Sequence, residues 1–198
     1  MHVSALTHDQ TPAAAALLAR GMLDNPVHIA VFGADPVRRH RGLLRMFETL
    51  FRVVGTQQPL GAFDDGILVG VAGVAPVGTC QPGVAQRLAF LPGLIVLGPA
   101  RARRLTRWLA VWADHDPEAP HVHLGPVAVE PERQRQGIGH RLLADHCRRL
   151  DAAGEVGYLE TDKQTNVTFY QRHGYVVVGE AAVLGVPTWF MTRQPQGP

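Results

Sequence analysis

Apolar residues recur along this chain at two spacings, and the change from one to the other marks its elements. Val3 to Leu6 has the character of a short strand. Thr11 followed by Pro12 reads as an N-cap and a first helical position, which predicts a helix over 13–22. Asp24-Asn25-Pro26 ends it, and Val27 to Phe32 is a second apolar piece closed by Gly33. Pro36 opens a longer predicted helix reaching Val54, with Leu43, Leu44, Phe47, Leu50 and Phe51 on one face. Gly55 to Pro59 reads as a turn. Residues 60–63 and 67–75 then read as a hairpin about Asp64-Asp65-Gly66. Apart from that turn, Ala62 to Val74 carries almost no polar residue, so both strands are expected to be buried. Pro76 to Pro82 reads as loop.

Residues 83–112 read as helical, with breaks at Pro92-Gly93 and Gly98-Pro99. Trp108 and Trp112 share a face by i,i+4 spacing, a pattern that suits core packing. Residues 114–120 read as a loop, and an apolar strand follows from His121 to Val129. From Gly137 onward Ile138, Leu142, Leu143, Cys147 and Leu150 recur at helical spacing. Residues 156–161 read as another strand. Asp162 or Thr165 is expected to cap a short helix over 166–173, which Gly174 ends in the left-handed region. Residues 175–184 and 187–192 read as a final hairpin, and 194–198 as a frayed tail. The predicted fold is mixed α/β: one central twisted mixed sheet with helices on both faces.

Composition narrows the function. The chain has 198 residues, 46% of them hydrophobic and 18% charged, enough to build a real core. The formal charge is only +2, and Arg101, Arg103 and Arg104 form the densest basic cluster, so neither nucleic acid nor a membrane is expected as a partner. Residues 88–97 are strongly apolar but too short to span a bilayer. No basic segment leading into an apolar core marks the N-terminus, and the protein is expected to be soluble and cytoplasmic. Cys80 and Cys147 lack metal-ligand spacing and read as reduced, buried small residues, so no metal is predicted.

The chemistry concentrates between Val127 and Leu143. A strand runs through Val127, Ala128 and Val129, a charged link reaches Gly137-Ile138-Gly139, and a helix begins there. The first turn of a helix has backbone N–H groups without intrahelical partners and the positive end of the macrodipole. Glycine lets that backbone close on an anion, so strand, Gly-x-Gly turn and helix form an anion seat suited to a phosphate or pyrophosphate. Arg133 and Arg135 lie beside it. Other phosphate loops fit less well: there is no Gly-Lys-Ser/Thr, and no third glycine at dinucleotide-fold spacing.

Gln134-Arg135-Gln136-Gly137-Ile138-Gly139 resembles the Gln/Arg-x-x-Gly-x-Gly/Ala signature of the GCN5-related N-acetyltransferase (GNAT) superfamily. A second segment, from Leu159-Glu160-Thr161-Asp162 through Asn166, Phe169, Tyr170 and His173-Gly174-Tyr175, resembles that family's last shared motif. The two motifs cover the C-terminal 80 residues or so. Residues 1–115 match in element order only, nearest to the branch with puromycin-type acetyltransferases. The resemblance implies one GNAT-like domain over 1–198, with 1–115 on the acceptor side and 121–193 as an acetyl-coenzyme A-binding core. It further implies that Gln134, Arg135, Gln136, Gly137, Ile138, Gly139 and His140 hold the pyrophosphate, and that Val127, Ala128 and Val129 meet the pantetheine and the acetyl carbonyl. Gly125-Pro126 would disturb the ladder there, leaving an N–H free at Val127 or Ala128.

On the same resemblance Tyr170 is the general acid, a phenol protonated at neutral pH. Asn166, one turn earlier, either bonds the pantetheine arm or ties the helix to the sheet. His123 falls where some members keep a basic strand glutamate, and its ordinary pKa of about 6.5 suits a base. A structural histidine is an equal reading. His121 shares its face, Glu160 on the neighbouring strand is the second choice for the base, and a metal between the imidazoles would need further ligands. The helices of residues 13–54 and the segment 88–97 are expected to wall the acceptor site. Asp24, Asp35, Asp64 and Asp65 all lie near turns, where aspartate has local reasons to be. The expected activity is acetyl transfer to a primary amine, most simply of a small molecule, with a homodimer possible. A non-catalytic coenzyme A sensor, or transfer to a protein N-terminus or lysine, are the alternatives.

Overall fold

The computed structural model describes residues 1–53 and 59–197. Its sheet has seven strands in the order β1-β2-β3-β4-β5-β7-β6. These are β1 His2–Ala5, β2 Leu60–Asp64, β3 Ile67–Ala75, β4 Val122–Val129, β5 Gly157–Thr161, β6 Val176–Val183 and β7 Val186–Arg193. Every neighbouring pair is antiparallel except β4 with β5. The α-helices are α1 Thr11–Gly21, α2 Pro26–Phe32, α3 Pro36–Val53, α4 Val84–Leu97, α5 Pro99–Asp114, α6 Ile138–Ala153 and α7 Gln164–Gln171. No helix among the described residues is long and apolar enough to cross a membrane.

Two cores sandwich the sheet. On one face Leu17, Leu18, Val31, Leu43, Phe47 and Trp108, from α1, α2, α3 and α5, pack on Val71 and Ala128. On the other, Ile138, Leu142, Leu143, Val167 and Tyr170, from α6 and α7, pack on Ala62, Ala72, Leu124 and Leu159. Buried on both sides, β2 and β3 are apolar almost throughout, as the unbroken run from Ala62 to Val74 requires. Trp108 is buried and meets Trp112 edge-on at 4.9 Å, the packing role their spacing predicts.

Several local expectations are corrected. Thr11 lies inside α1 because a single 3-10 turn, His8–Gln10, precedes it. The start signal sits four residues earlier, where the Gln10 side chain accepts the N–H of Thr7 at 2.9 Å. Pro92 does not break α4: the helix runs through it, giving up the one N–H that proline lacks. The hinge at Gly98-Pro99 is real, with Gly98 at φ +79°. Neither Asp162 nor Thr165 caps α7, whose N-cap is Lys163. The turn expected over 55–59 lies outside the described residues apart from Pro59. Cys147 is buried as expected, whereas Cys80 is only half-buried.

Candidate active site

β4 carries one residue more than its partner. Ala72 pairs with Val127 but Val74 pairs with Leu124, so the extra residue falls at Gly125-Pro126. The bulge resets the alternation of side chains. Leu124, Val127 and Val129 all turn toward the α6 core, while Ala128 joins the α1 core. Gly73 makes room for it: a Cβ there would lie 2.5 Å from the Gly125 carbonyl oxygen and 2.8 Å from Pro126.

β4 and β5 pair over only two rungs, Val122 with Gly157 and His123 with Tyr158. Beyond them β5 pairs with β7 alone among the described residues, so the sheet opens alongside the second half of β4. The N–H of Glu130 bonds the Val69 carbonyl at 3.0 Å, which fixes the phase of the ladder. Peptide groups of alternate residues face one partner. Ala128 therefore turns its N–H and C=O to β3, while Val127 and Val129 turn theirs to the opening. The Val129 carbonyl is met there by the Gln134 side-chain amide at 3.3 Å. Of the two positions expected to free an N–H, the register selects Val127.

At the end of β4 the chain enters the Gly-x-Gly turn. Arg135 (φ +61°) and Gly137 (φ +81°) both take left-handed backbone conformations, and Gly137 is the N-cap of α6. Such alternation turns successive N–H groups to one side as an anion nest. The ladder of α6 starts with the Arg141 N–H on the Gly137 carbonyl at 3.1 Å, so Ile138, Gly139 and His140 supply first-turn amides. A Cβ on Gly137 would meet nothing within 4 Å, so the space over the turn is open. Gln134, Arg135 and Gln136 are exposed. Arg133 braces the turn, ion-paired to Asp64 and bonded to the Gln136 side chain at 3.2 Å. Asp64 is thereby occupied. Asp35 is too, accepting the N–H groups of Val37 and Arg38 at the start of α3. His140 directs its ring at α7, packing on Phe169 at 4.9 Å with Nδ1 2.9 Å from Nε2 of His173.

Tyr170 lies on α7, on the α6 side of the sheet, buried between Phe169 (5.2 Å) and Tyr175 (6.0 Å). Burial, with a smaller push from the Asp162 carboxylate, raises its phenol well above the ordinary range, so it keeps its proton. Asn166 is half-buried one turn earlier on the same helix.

His123 and Glu160 occupy the opposite face. They stand on the two strands that separate, with His123 Nε2 2.7 Å from the Glu160 carboxylate. The carboxylate is nearly enclosed (side chain 3% exposed) and the imidazole less so (21%). Burial works against charge on His123, but the Glu160 carboxylate and the Cys80 sulfur outweigh it and push the imidazole up to about 10. The neighbouring carboxylate thus favours the charged form of the imidazole. His121 does not join it; its Nε2 lies 3.2 Å from Asp116 and its ring 6.5 Å from that of His123.

One residue outside the expected set shapes the site. Asp162 is buried and accepts the Val27 N–H at 2.7 Å and the Asn25 amide at 3.4 Å, so it caps α2 rather than α7. The visible signal was Asn25-Pro26, a helix start whose own side chain provides no cap.

Residues 93–177 match the family model for the acetyltransferase (GNAT) domain. Among solved structures, the chain is similar to a "histone acetyltransferase HPA2 and related acetyltransferase" from Corynebacterium glutamicum, with 24% identity, 99% of this chain and 97% of that one covered, and a TM-score of 0.74. It is similar to a polyamine N-acetyltransferase of Drosophila melanogaster (13% identity, 98% and 99% covered, TM-score 0.65). It also resembles the PaiA N-acetyltransferase of Thermoplasma acidophilum in complex with coenzyme A (13% identity, 98% and 99% covered, TM-score 0.57). Residues 93–177 thus match the GNAT acetyltransferase model, and they lie within a fold that the chain shares over its whole length with a solved acetyltransferase structure.

Proposed function

We propose that this protein moves an acetyl group from acetyl-coenzyme A directly to a primary amine of a small molecule, both substrates being bound together. The observation that carries the reading is the opening between β4 and β5, with Tyr170 on one face and the His123–Glu160 pair on the other. The loop suits a pyrophosphate: two left-handed residues and open space over Gly137 leave the amides of 136–140 approachable. When bound, acetyl-coenzyme A supplies an activated acetyl thioester. Gln134, Arg135 and the amides from Gln136 to His140 hold its diphosphate, and Val127 to Val129 with Asn166 line its arm.

The remaining chemistry belongs to side chains and one peptide group. The Val127 N–H, turned into the opening by the bulge, is a fixed donor for developing negative charge and needs no reorganisation. Tyr170 holds a proton within the core and lends it to a departing thiolate. His123, backed by Glu160, first gives its own proton to solvent as the amine enters and then takes the proton of the ammonium. A cation arriving beside the imidazolium is a like charge and favours its neutral, accepting form. The polyamine acetyltransferase among the structural relatives agrees with an amine acceptor. The enclosure of Glu160 suits a slender one.

The test is thiol release from acetyl-coenzyme A across a panel of polyamines, aminoglycosides, arylamines and short peptides. Turnover with a small amine supports the reading. Turnover with peptides alone would transfer the activity to a protein acceptor. Tight acetyl-coenzyme A binding without turnover on any amine would make this a binding module.

A further inference from the structure

We propose that Cys80, Asp116 and His121 form a three-ligand site for a zinc-like divalent cation at the base of the α4–α5 hairpin. The three side chains come from two loops, the one before α4 and the one between α5 and β4. Cys80 precedes α4, Asp116 follows α5, and His121 leads into β4. Their donor atoms converge. Sγ of Cys80 is 3.7 Å from Nε2 of His121 and 3.8 Å from Oδ1 of Asp116, and Nε2 is 3.2 Å from the same Oδ1. A tetrahedral zinc with ordinary bonds to sulfur, nitrogen and oxygen needs edges of about 3.5 Å to the sulfur and about 3.3 Å between nitrogen and oxygen. The observed triangle is within a few tenths of an ångström of one face of that tetrahedron.

The surrounding groups are those of a metal site. Nδ1 of His121 lies 2.9 Å from the Ala119 carbonyl, the partner that fixes a ligating imidazole with its Nε2 lone pair inward. Oδ2 of Asp116 accepts the Gln81 side-chain amide at 3.0 Å and lies 3.5 Å from Sγ of Cys80, so the carboxylate is held with Oδ1 on Nε2 of His121 and both oxygens near the sulfur. A catalytic-type triad is a poorer description. In that arrangement the carboxylate sits on the imidazole nitrogen away from the sulfur, whereas here sulfur and carboxylate crowd the same nitrogen. One thiolate, one imidazole and one carboxylate are borderline-soft ligands that suit zinc over magnesium or calcium. Ligation takes the thiol proton into solvent, and a water or an anionic ligand completes the fourth position.

The hairpin explains the use of such a clamp. No residue of α4 is fully buried, and Val84, Leu88, Ile95 and Val96 are all at least 60% exposed. A cation joining the chain before α4 to the chain after α5 closes this segment where packing is thin.

The test uses the full chain, stripped with a chelator and then given zinc or cobalt(II). One equivalent of zinc should survive desalting. Cobalt should give tetrahedral visible bands with a thiolate-to-metal charge-transfer band. Zinc at a hundredfold excess over its Kd should raise Tm by about 5–10 °C. Cys80→Ala should lose the charge-transfer band and the Tm shift, Asp116→Asn should weaken binding, and Cys147→Ala should retain both signals. A cobalt spectrum of the unmodified protein without thiolate character would overturn the assignment, whichever variants fold. So would a band that persists in Cys80→Ala or disappears in Cys147→Ala.

Discussion

Nε2 of His123 lies 2.7 Å from the carboxylate of Glu160, across two strands that pair for only two rungs before parting. His123 stands on the last shared rung, opposite Tyr158, and Glu160 lies two residues beyond it, so the proposed proton acceptor stands at the edge of the opening. Tyr170 lies beyond the sheet, on the α6 face. The proposed acid and the proposed base thus lie on opposite faces of the sheet.

Removing either end of that pair tests the acceptor side. Glu160→Gln should lower kcat/KM for the amine on the order of 10²–10⁴-fold, the scale of lost acid–base help. Acetyl-coenzyme A affinity, measured by titration calorimetry, should stay within a few fold. Unchanged kcat/KM would take the pair out of the mechanism.

Tyr170→Phe isolates the proton on the cofactor side. It leaves the ring between Phe169 and Tyr175 in place. A fall in kcat of about 10²–10⁴-fold with little change in acetyl-coenzyme A binding is expected. Steady-state kinetics that match the parent protein would assign Tyr170 to the core.

At Gly137 two effects can be separated by residue choice. Its φ of +81° strains a β-branched residue, so Gly137→Val should lose about 1–2 kcal/mol of stability along with coenzyme A binding. Asn tolerates this conformation, so Gly137→Asn should keep most of the Tm while its side chain obstructs the approach to the amides. Full coenzyme A affinity in the Asn variant would place the diphosphate elsewhere.

The bulge has its own probe. A Cβ at Gly73 would overlap the Gly125 carbonyl and Pro126. Gly73→Ala should therefore cost about 1–3 kcal/mol in urea unfolding, the usual range for overpacking, and should lower turnover as β4 shifts. A variant of parental stability and activity would show that the bulge has no role.

Acid sensitivity should come in part from His146, buried on α6 with Nε2 3.1 Å from the Tyr175 hydroxyl. Burial first, then the charges of Arg193 and Arg149, push its imidazole down from 6.5 to about 4. The unfolded chain then binds the extra proton between those values, so stability is full above about pH 6.5 and falls as pH drops toward about 4. The loss approaches about 3 kcal/mol. His146→Gln should flatten this slope in urea melts run from about pH 7 to about pH 4; an unaltered slope would assign the sensitivity to other groups.

Much of the fold was legible because it follows from local rules. Apolar runs of period two, the Asp64-Asp65-Gly66 turn, the Gly174 stop and the face made by Ile138, Leu142, Leu143 and Leu150 each depend on neighbours in sequence. The same holds for the Gly137 turn, since a left-handed N-cap and exposed helix amides are properties of a few consecutive residues. Thr11 and Pro92 depart from their local preferences because a neighbouring turn and a strongly apolar helix override what a single residue favours.

What only the tertiary structure decided are the relations across the sheet. That Asp162 caps α2, that the bulge aims Val127 into the opening, and that Cys80 meets Asp116 and His121 all join residues far apart in the chain. Composition and spacing specify which faces are apolar and which turns are tight. They leave open which polar side chains come to share a few ångströms, because that depends on strand order and on one extra residue in β4, and both are fixed only when the two cores close on the sheet.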